Sequence, residues 1–271
     1  MSLQVANQAG LERILEADRG RHLRLFAAAA IGALLVFGAF HITGLLDPKR
    51  LAEGGPALLT IAGEMLPPDF TRWPNWMKPL ADTLAMSIAG TVLAVLLSFP
   101  LAFVAARNTS PNGFAYHAGR MALNALRAFP ELIMGIIFVA AVGFGALPGV
   151  LALGLHSVGM VGKFFAEAIE HVDPKPVEAA RAAGATELQV VWRAVLPQVL
   201  PQMADVTIYR WEYNFRASTV MGAVGAGGIG LELMGSLRLM DYQQVSAILL
   251  CILVCVTLVD AIGGWLRRKL V

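Results

Sequence analysis

The sequence is short of charge and of cysteine, and it carries no catalytic signature. Charged residues make up 15% of its 271 residues, where a soluble domain usually has about 25%. That shortfall excludes a solvated surface over most of the chain. The formal net charge is only +2, which gives no support to a general affinity for nucleic acid or acidic surfaces. Cys251 and Cys255 are the two cysteines. Spaced i, i+4 in an apolar run, they could share a helix face, but two thiols alone make a poor metal site and read as small packing residues. The five histidines, His22, His41, His117, His156 and His171, show no metal-ligand spacing. His156 falls within an apolar run and reads as a core hydrogen-bonding residue. No G-x-x-x-x-G-K-[ST] occurs, so the chain has no P-loop of its own. Nor is there a G-x-S-x-G elbow. The chain is not read as an enzyme, and no cofactor is expected in it.

Long apolar runs are what it does have. Hydrophobic residues reach 57% and the mean hydropathy is +0.64. About six runs have spanning length, near 23–45, 80–106, 121–144, 150–169, 199–220 and 245–266. The fold class is therefore an all-α polytopic transmembrane bundle. Three parts are expected: a polar leader at 1–23, a first span with an outer segment at 24–79, and a core at 80–271. The leader contains Glu12, Arg13, Glu16, Asp18, Arg19 and Arg21, which rules against a signal peptide. Residues 46–79 are rich in Pro and Gly, and their Trp73 and Trp76 suit a membrane–water interface. The third run opens with Arg127, Pro130 and Glu131, so its first turns are expected to be bent or shielded by protein. Basic residues flank alternate span ends: Arg19, Arg21 and Arg24, then Arg107 and Arg120, then Arg267, Arg268 and Lys269. With six spans all three groups fall on one side, the cytoplasm, and both termini with them.

One segment does not suit lipid: PVEAARAAGATELQVVWRAVLPQ, residues 176–198. Asp173 followed by Pro174 is a helix-start signal. Glu178, Ala179, Ala180, Ala182 and Ala183 form a helix with little side-chain bulk, and Gly184 is suited to end it in a left-handed conformation. Thr186 and Gln189 have capping-box spacing for a second helix. Leu188, Val191, Trp192 and Val195 give that helix one apolar face, and Leu196-Pro197 is expected to stop it. The predicted object is two short helices at 173–196 with a glycine elbow, lying along the membrane. Periodicity alone leaves an ordinary amphipathic connector equally open.

Glu178-Ala179-Ala180, then Gly184, then Leu196-Pro197 resemble the E-A-A-x-x-x-G-x(n)-L-P motif of ABC importer permeases. FPELIMGIIF (129–138), LHSVGMVGKFFAEAIE (155–170), VLPQVLPQ (195–202), YRWEYNFRASTVMGAVGAGGIG (209–230) and DYQQVSAILL (241–250) are similar to the phosphonate permease family, over about 80–270. The resemblance implies a type I importer permease of the bacterial cytoplasmic membrane. It implies a second copy of the chain, two ATPase subunits that bind ATP and Mg, and a periplasmic or lipid-tethered binding protein. It makes 173–196 the coupling helices that dock on the ATPase. The implied cargo is an organophosphonate, with phosphate, phosphite or a related oxyanion as the alternative. A carrier driven by an ion gradient is the competing class; it would need no such elbow.

Charges at membrane depth are costly and normally face protein or water. Lys163 and Glu167 are i, i+4 neighbours and read as an ion pair. In the fifth run Arg210, Glu212, Asn214 and Arg216 fall within seven residues. Glu212 and Arg216 have pairing distance along the helix, whereas Arg210 shares a face with Asn214 and has no local partner. Either Arg210 and Asn214, with Glu212 and Arg216 beside them, border a translocation path that tolerates an oxyanion, or Arg210 pairs with another helix or snorkels. The glycines Gly225, Gly227, Gly228 and Gly230 formally fit G-x-G-x-x-G, but no βαβ unit surrounds them. They read instead as sites of close helix approach or of a re-entrant turn at an outer gate.

Overall fold

The structure is a computed structural model that describes the backbone of residues 2–270 and the side chains of residues 21–22 and 24–270. The earlier side chains of the leader, Arg19 among them, lie outside the described residues. The chain divides into two compact units, Met1–Gly63 and Glu64–Val271. The second begins ahead of the expected core boundary at 80.

In the first unit, leader and first span are one unbroken helix, α1 (Ser2–Thr43). Its part from Arg24 to Thr43 is long and apolar enough to cross a bilayer. It ends where Gly44 takes φ +74°, and the amides of Gly44 and Leu45 bond back to His41 and Phe40. A second helix, α2 (Pro48–Glu64), follows. The sequence reading of this stretch is only that it is rich in Pro and Gly, and Gly54, Gly55 and Pro56 are each poor helix formers. Pro56 nevertheless sits inside α2.

The second unit is built on α3 (Trp73–Ala105) and α6 (Ala146–Glu170). Of the four helices that pass alone as candidate spans, α6 has the largest buried share, 61% of its apolar window, so it is the central one. Small residues allow this. Gly90 of α3 lies against Leu153, and Gly154 of α6 lies against Leu93. Around α6 pack α4 (Gly113–Ala128), α5 (Glu131–Val142) and α9 (Leu196–Met221). The short helices α7 (Pro174–Ala182) and α8 (Glu187–Val190) lie between α6 and α9. After α9 come α10 (Ile229–Arg238) and α11 (Tyr242–Leu270), packed on each other and on α9.

Three expectations change in detail. The third run is two helices, α4 and α5, bent by 84° at their junction. Pro130 is the residue at the break, and it ends helix geometry in the residue before it. The region after α9 is not only a glycine turn, since α10 forms within it at 46° to the preceding helix. Trp76 is not interfacial: it is 2% exposed and packs in a core with Ile229, Ala247 and Ile248, while Trp73 is exposed. With both bent pairs counted as spans the described residues hold six, and otherwise four.

The closest backbone approach to an α6 glycine is at Gly159. A Cβ there would lie 2.7 Å from the Arg127 amide nitrogen and 2.7 Å from the Leu123 carbonyl oxygen on α4. Gly159→Val should therefore separate α4 from α6 and lower stability by about 1–3 kcal/mol. Gly264→Val, where no atom lies within 4 Å, should have no such effect. Thermal unfolding of the two variants in detergent checks this; equal midpoints would show that the contact is not a tight one.

Candidate functional site

The elbow is built by local chemistry. Asp173 caps α7, its carboxylate accepting from the Lys175 amide at 3.0 Å. At the other end of α7 the Ala185 amide donates to the Ala180 carbonyl at 3.1 Å and the Gly184 amide to the Arg181 carbonyl at 2.9 Å. This is a Schellman ending, and Gly184 supplies its left-handed residue at φ +81°. Thr186 and Gln189 form the expected capping box on α8. Across the bend the Arg181 guanidinium donates to Glu187 at 2.9 Å, and that bond holds the Arg181 pKa above its ordinary value. Gln198 ties the two sides together. Its amide oxygen accepts from the Asp173 amide at 2.9 Å and its nitrogen donates to the Ala194 carbonyl at 2.7 Å.

Two expectations about the second short helix fail. Leu196-Pro197 does not stop it. Residues Val191–Val195 form one wide turn, with the Leu196 amide bonded to the Val191 carbonyl, and the helix runs on into α9. Proline has no amide to give to the preceding turn, and widening the ladder there absorbs the loss. The buried face also differs from the expected one. Val190, Ala194 and Val195 are buried, while Leu188 and Trp192 are 69% and 58% exposed. Of the motif residues, Glu178, Ala179, Gly184 and Pro197 are exposed and Ala180 is half-buried. Leu196 is buried in the core with Val199 and Met203. A cavity of about 850 Å³ separates the elbow from the loop at 108–111, lined in part by Val177, Glu178, Arg181 and Leu188.

Glu170, just before the elbow, was not singled out from sequence. One of its oxygens accepts from the Arg107 amide at 2.9 Å and from Arg120 at 2.8 Å. It thus joins the end of α3 to α4 and α6. Its partners stand 50 and 63 positions away, beyond the reach of local spacing.

The charges of α9 sort differently from the sequence expectation. Glu212 and Arg216 do not pair with each other. Glu212 is buried and takes two hydrogen bonds from Arg267 of α11, at 2.7 and 3.2 Å. Arg216 donates to both oxygens of Asp260, also on α11, at 2.8 and 3.1 Å. Two cross-helix pairs satisfy these charges better than one bridge along the helix. Gly263 makes room for the first, since a Cβ there would collide with the Glu212 carboxylate. Lys163 and Glu167 do pair, at 3.5 Å.

Arg210 is 3% exposed and has no salt-bridge partner among the described residues. Its Nε donates to Ser157 Oγ at 2.8 Å, and its guanidinium lies 4.2 Å from the centre of the Tyr213 ring. Nη2 has no hydrogen-bond partner among the described residues. Ser157 donates to Asn214 Oδ1 at 3.0 Å, and Asn214 donates to Thr91 Oγ1 at 2.9 Å. A polar thread thus crosses from α9 through α6 to α3. Arg210 and Asn214 do share it, as their common face predicts; Glu212 and Arg216 point to α11. His156 hydrogen-bonds the Phe129 carbonyl at 3.0 Å, in keeping with its reading as a core hydrogen-bonding residue.

The glycines after α9 serve backbone geometry. Gly225, Gly227 and Gly228 have φ of +92°, +75° and +75°, and a Cβ on Gly230 would collide with the Thr219 carbonyl. They form a turn that lays α10 tightly against the end of α9.

The profile of the family described as "Binding-protein-dependent transport system inner membrane component" matches residues 98–271. The chain belongs to this family and is a permease subunit of an ABC importer, which sets aside the gradient-driven carrier. It is 70% identical over 238 residues to the phosphite transport system permease protein PtxC of Stutzerimonas stutzeri, covering 86% of each chain. It is 40% identical over 223 residues to the phosphate-import permease protein PhnE of Mycolicibacterium smegmatis, covering 82% of this chain and 42% of that one. Its fold matches an inward-facing structure of the MetNI methionine ABC transporter with a TM-score of 0.65 at 21% identity, over 72% of this chain and 96% of that one.

Removing one member of a buried ion pair leaves the other charge unpaired, at about 3 kcal/mol or more. Arg267→Gln should therefore lower the unfolding midpoint sharply, and E212Q/R267Q should recover most of the loss. A double variant no more stable than the single one would show that the pair is not what holds α9 to α11.

Proposed function

We propose that this permease passes a small phosphorus oxyanion, phosphite foremost, into the cytoplasm of a bacterium whose inner membrane it spans with both termini inside. The observation that carries the reading is Arg210. It is a guanidinium without a paired carboxylate, fourteen residues along α9 from Leu196 and so about 21 Å from the start of that helix, near mid-bilayer. An intramembrane cation with spare donor capacity marks an anion path more readily than a structural brace. The 70% identity to a phosphite permease narrows the phosphonate, phosphite and phosphate class toward phosphite. Two copies of the chain enclose the path. Two ATPase subunits bind ATP and Mg and dock at Glu178, Ala179, Ala180 and Gly184, while a periplasmic or lipid-tethered binding protein delivers the anion near the glycine turn. Leu196 and Pro197 act behind the docking surface, joining the elbow to α9.

Two measurements test this. In proteoliposomes holding the permease, its ATPase and loaded binding protein, phosphite uptake should require ATP. Arg210→Gln should cut that uptake at least about tenfold, a loss of one charge-assisted hydrogen bond or more, and leave ATPase activity in place. Normal uptake by this variant would remove Arg210 from the path. Gly184→Val meets no atom within 4 Å, so its cost is the left-handed strain alone, about 1–2 kcal/mol. It should weaken ATPase copurification by about tenfold without reducing the amount of permease in the membrane. Wild-type recovery of the ATPase would separate the elbow from docking.

A further inference from the structure

The cluster around Arg210 already contains an anion. Glu131 is the first residue of α5, directly after Pro130 at the 84° break. Its Oε1 accepts from the Tyr213 hydroxyl at 2.9 Å, and its Oε2 lies 3.3 Å from His156 Nε2. The other face of this arrangement is Arg210, stacked on the same Tyr213 ring and close enough for the two charges to interact. Glu131 is partly exposed where Arg210 is not. A line of contacts therefore runs inward from the surface through Glu131 and Tyr213 to the guanidinium.

The count of donors is the informative part. A carboxylate has two oxygens: Tyr213 donates to one, and His156, whose Nδ1–H goes to the Phe129 carbonyl, donates to the other when both ring nitrogens carry protons. The third donor, Arg210 Nη2, is left with no protein partner among the described residues. A tetrahedral oxyanion of the type R–PO₃ or H–PO₃ presents three oxygens. We propose that Glu131 is an internal stand-in for the transported anion. In this conformation it holds the Tyr213 and His156 donors, and the cargo takes them over, adding Arg210 as its third contact, when α5 swings at the Pro130 break. This rests on the reading of Arg210 as a pathway residue. Two physical requirements favour such an exchange. Donors left unpaired at membrane depth are costly, so a resident anion stabilises the site between cargoes. A site that must also release its cargo gains from a tethered competitor that reclaims the donors. Glu131 is thus a positioning and competing residue.

The test uses the permease–ATPase complex in nanodiscs without binding protein, with inorganic phosphite as the probe in equilibrium dialysis. Glu131→Gln keeps the shape of the side chain and removes its charge. It should bind phosphite about tenfold more tightly than the wild type and transport it more slowly, because nothing displaces the cargo. R210Q/E131Q should lose the gain. Copurification of the ATPase confirms assembly, and where E131Q does not assemble, E131A should tighten binding in the same direction. If Arg210→Gln abolishes uptake but E131Q binds phosphite no better than the wild type, the stand-in is overturned and the pathway reading survives. If Arg210→Gln transports normally, the pathway reading itself falls.

Discussion

A charge placed in hydrocarbon must be met by protein, and this requirement sets the arrangement of the core. Glu212 and Arg216 lie on one helix and could have neutralised each other there. Each instead reaches across to α11, to Arg267 and Asp260. Two such bonds, 44 and 55 positions apart in the chain, fix both the rotation and the axial register of α9 against α11. With α9 held in that rotation, Arg210 and Asn214 turn toward α6 and α3. There they meet the hydroxyls of Ser157 and Thr91. Among the described residues, Nη2 of Arg210 is the buried guanidinium nitrogen left without a hydrogen-bond partner.

What could be read from the sequence was local. The elbow was legible because its rules act over three to six residues: an aspartate before a proline, a glycine past an alanine helix, a threonine three positions before a glutamine. Each of these forms the bond its spacing predicts. Spans were legible from apolar length alone, and the isolated position of Arg210 followed from helical periodicity.

Other features depend on partners distant in the chain. Glu170, Ser157, Tyr213 and Glu131 carry no local pattern that marks them, and their roles appear only when α3, α4, α5, α6 and α9 are brought together. Trp76 illustrates the same limit. Composition sends a tryptophan beside prolines to an interface, but contacts with Ile229 and Ile248 bury it. The helix α2 was hidden by Gly54, Gly55 and Pro56, whose intrinsic preferences the chain overrides. The end of the second short helix was misread because Leu196-Pro197 has the look of a stop, whereas the wide turn at Val191–Val195 carries the helix through it.

That wide turn has a mechanical consequence. Because α8 passes through it into α9 without a loop, the elbow and Arg210 are joined by continuous helix. A flexible connector would dissipate a push from below; a helical rod conveys it. With an arm of about 21 Å, a tilt of roughly 10° at the base displaces the far point sideways by about 4 Å, more than the length of a hydrogen bond. A modest stroke at the base, were a partner to apply one, would be enough to make or break polar contacts around Arg210.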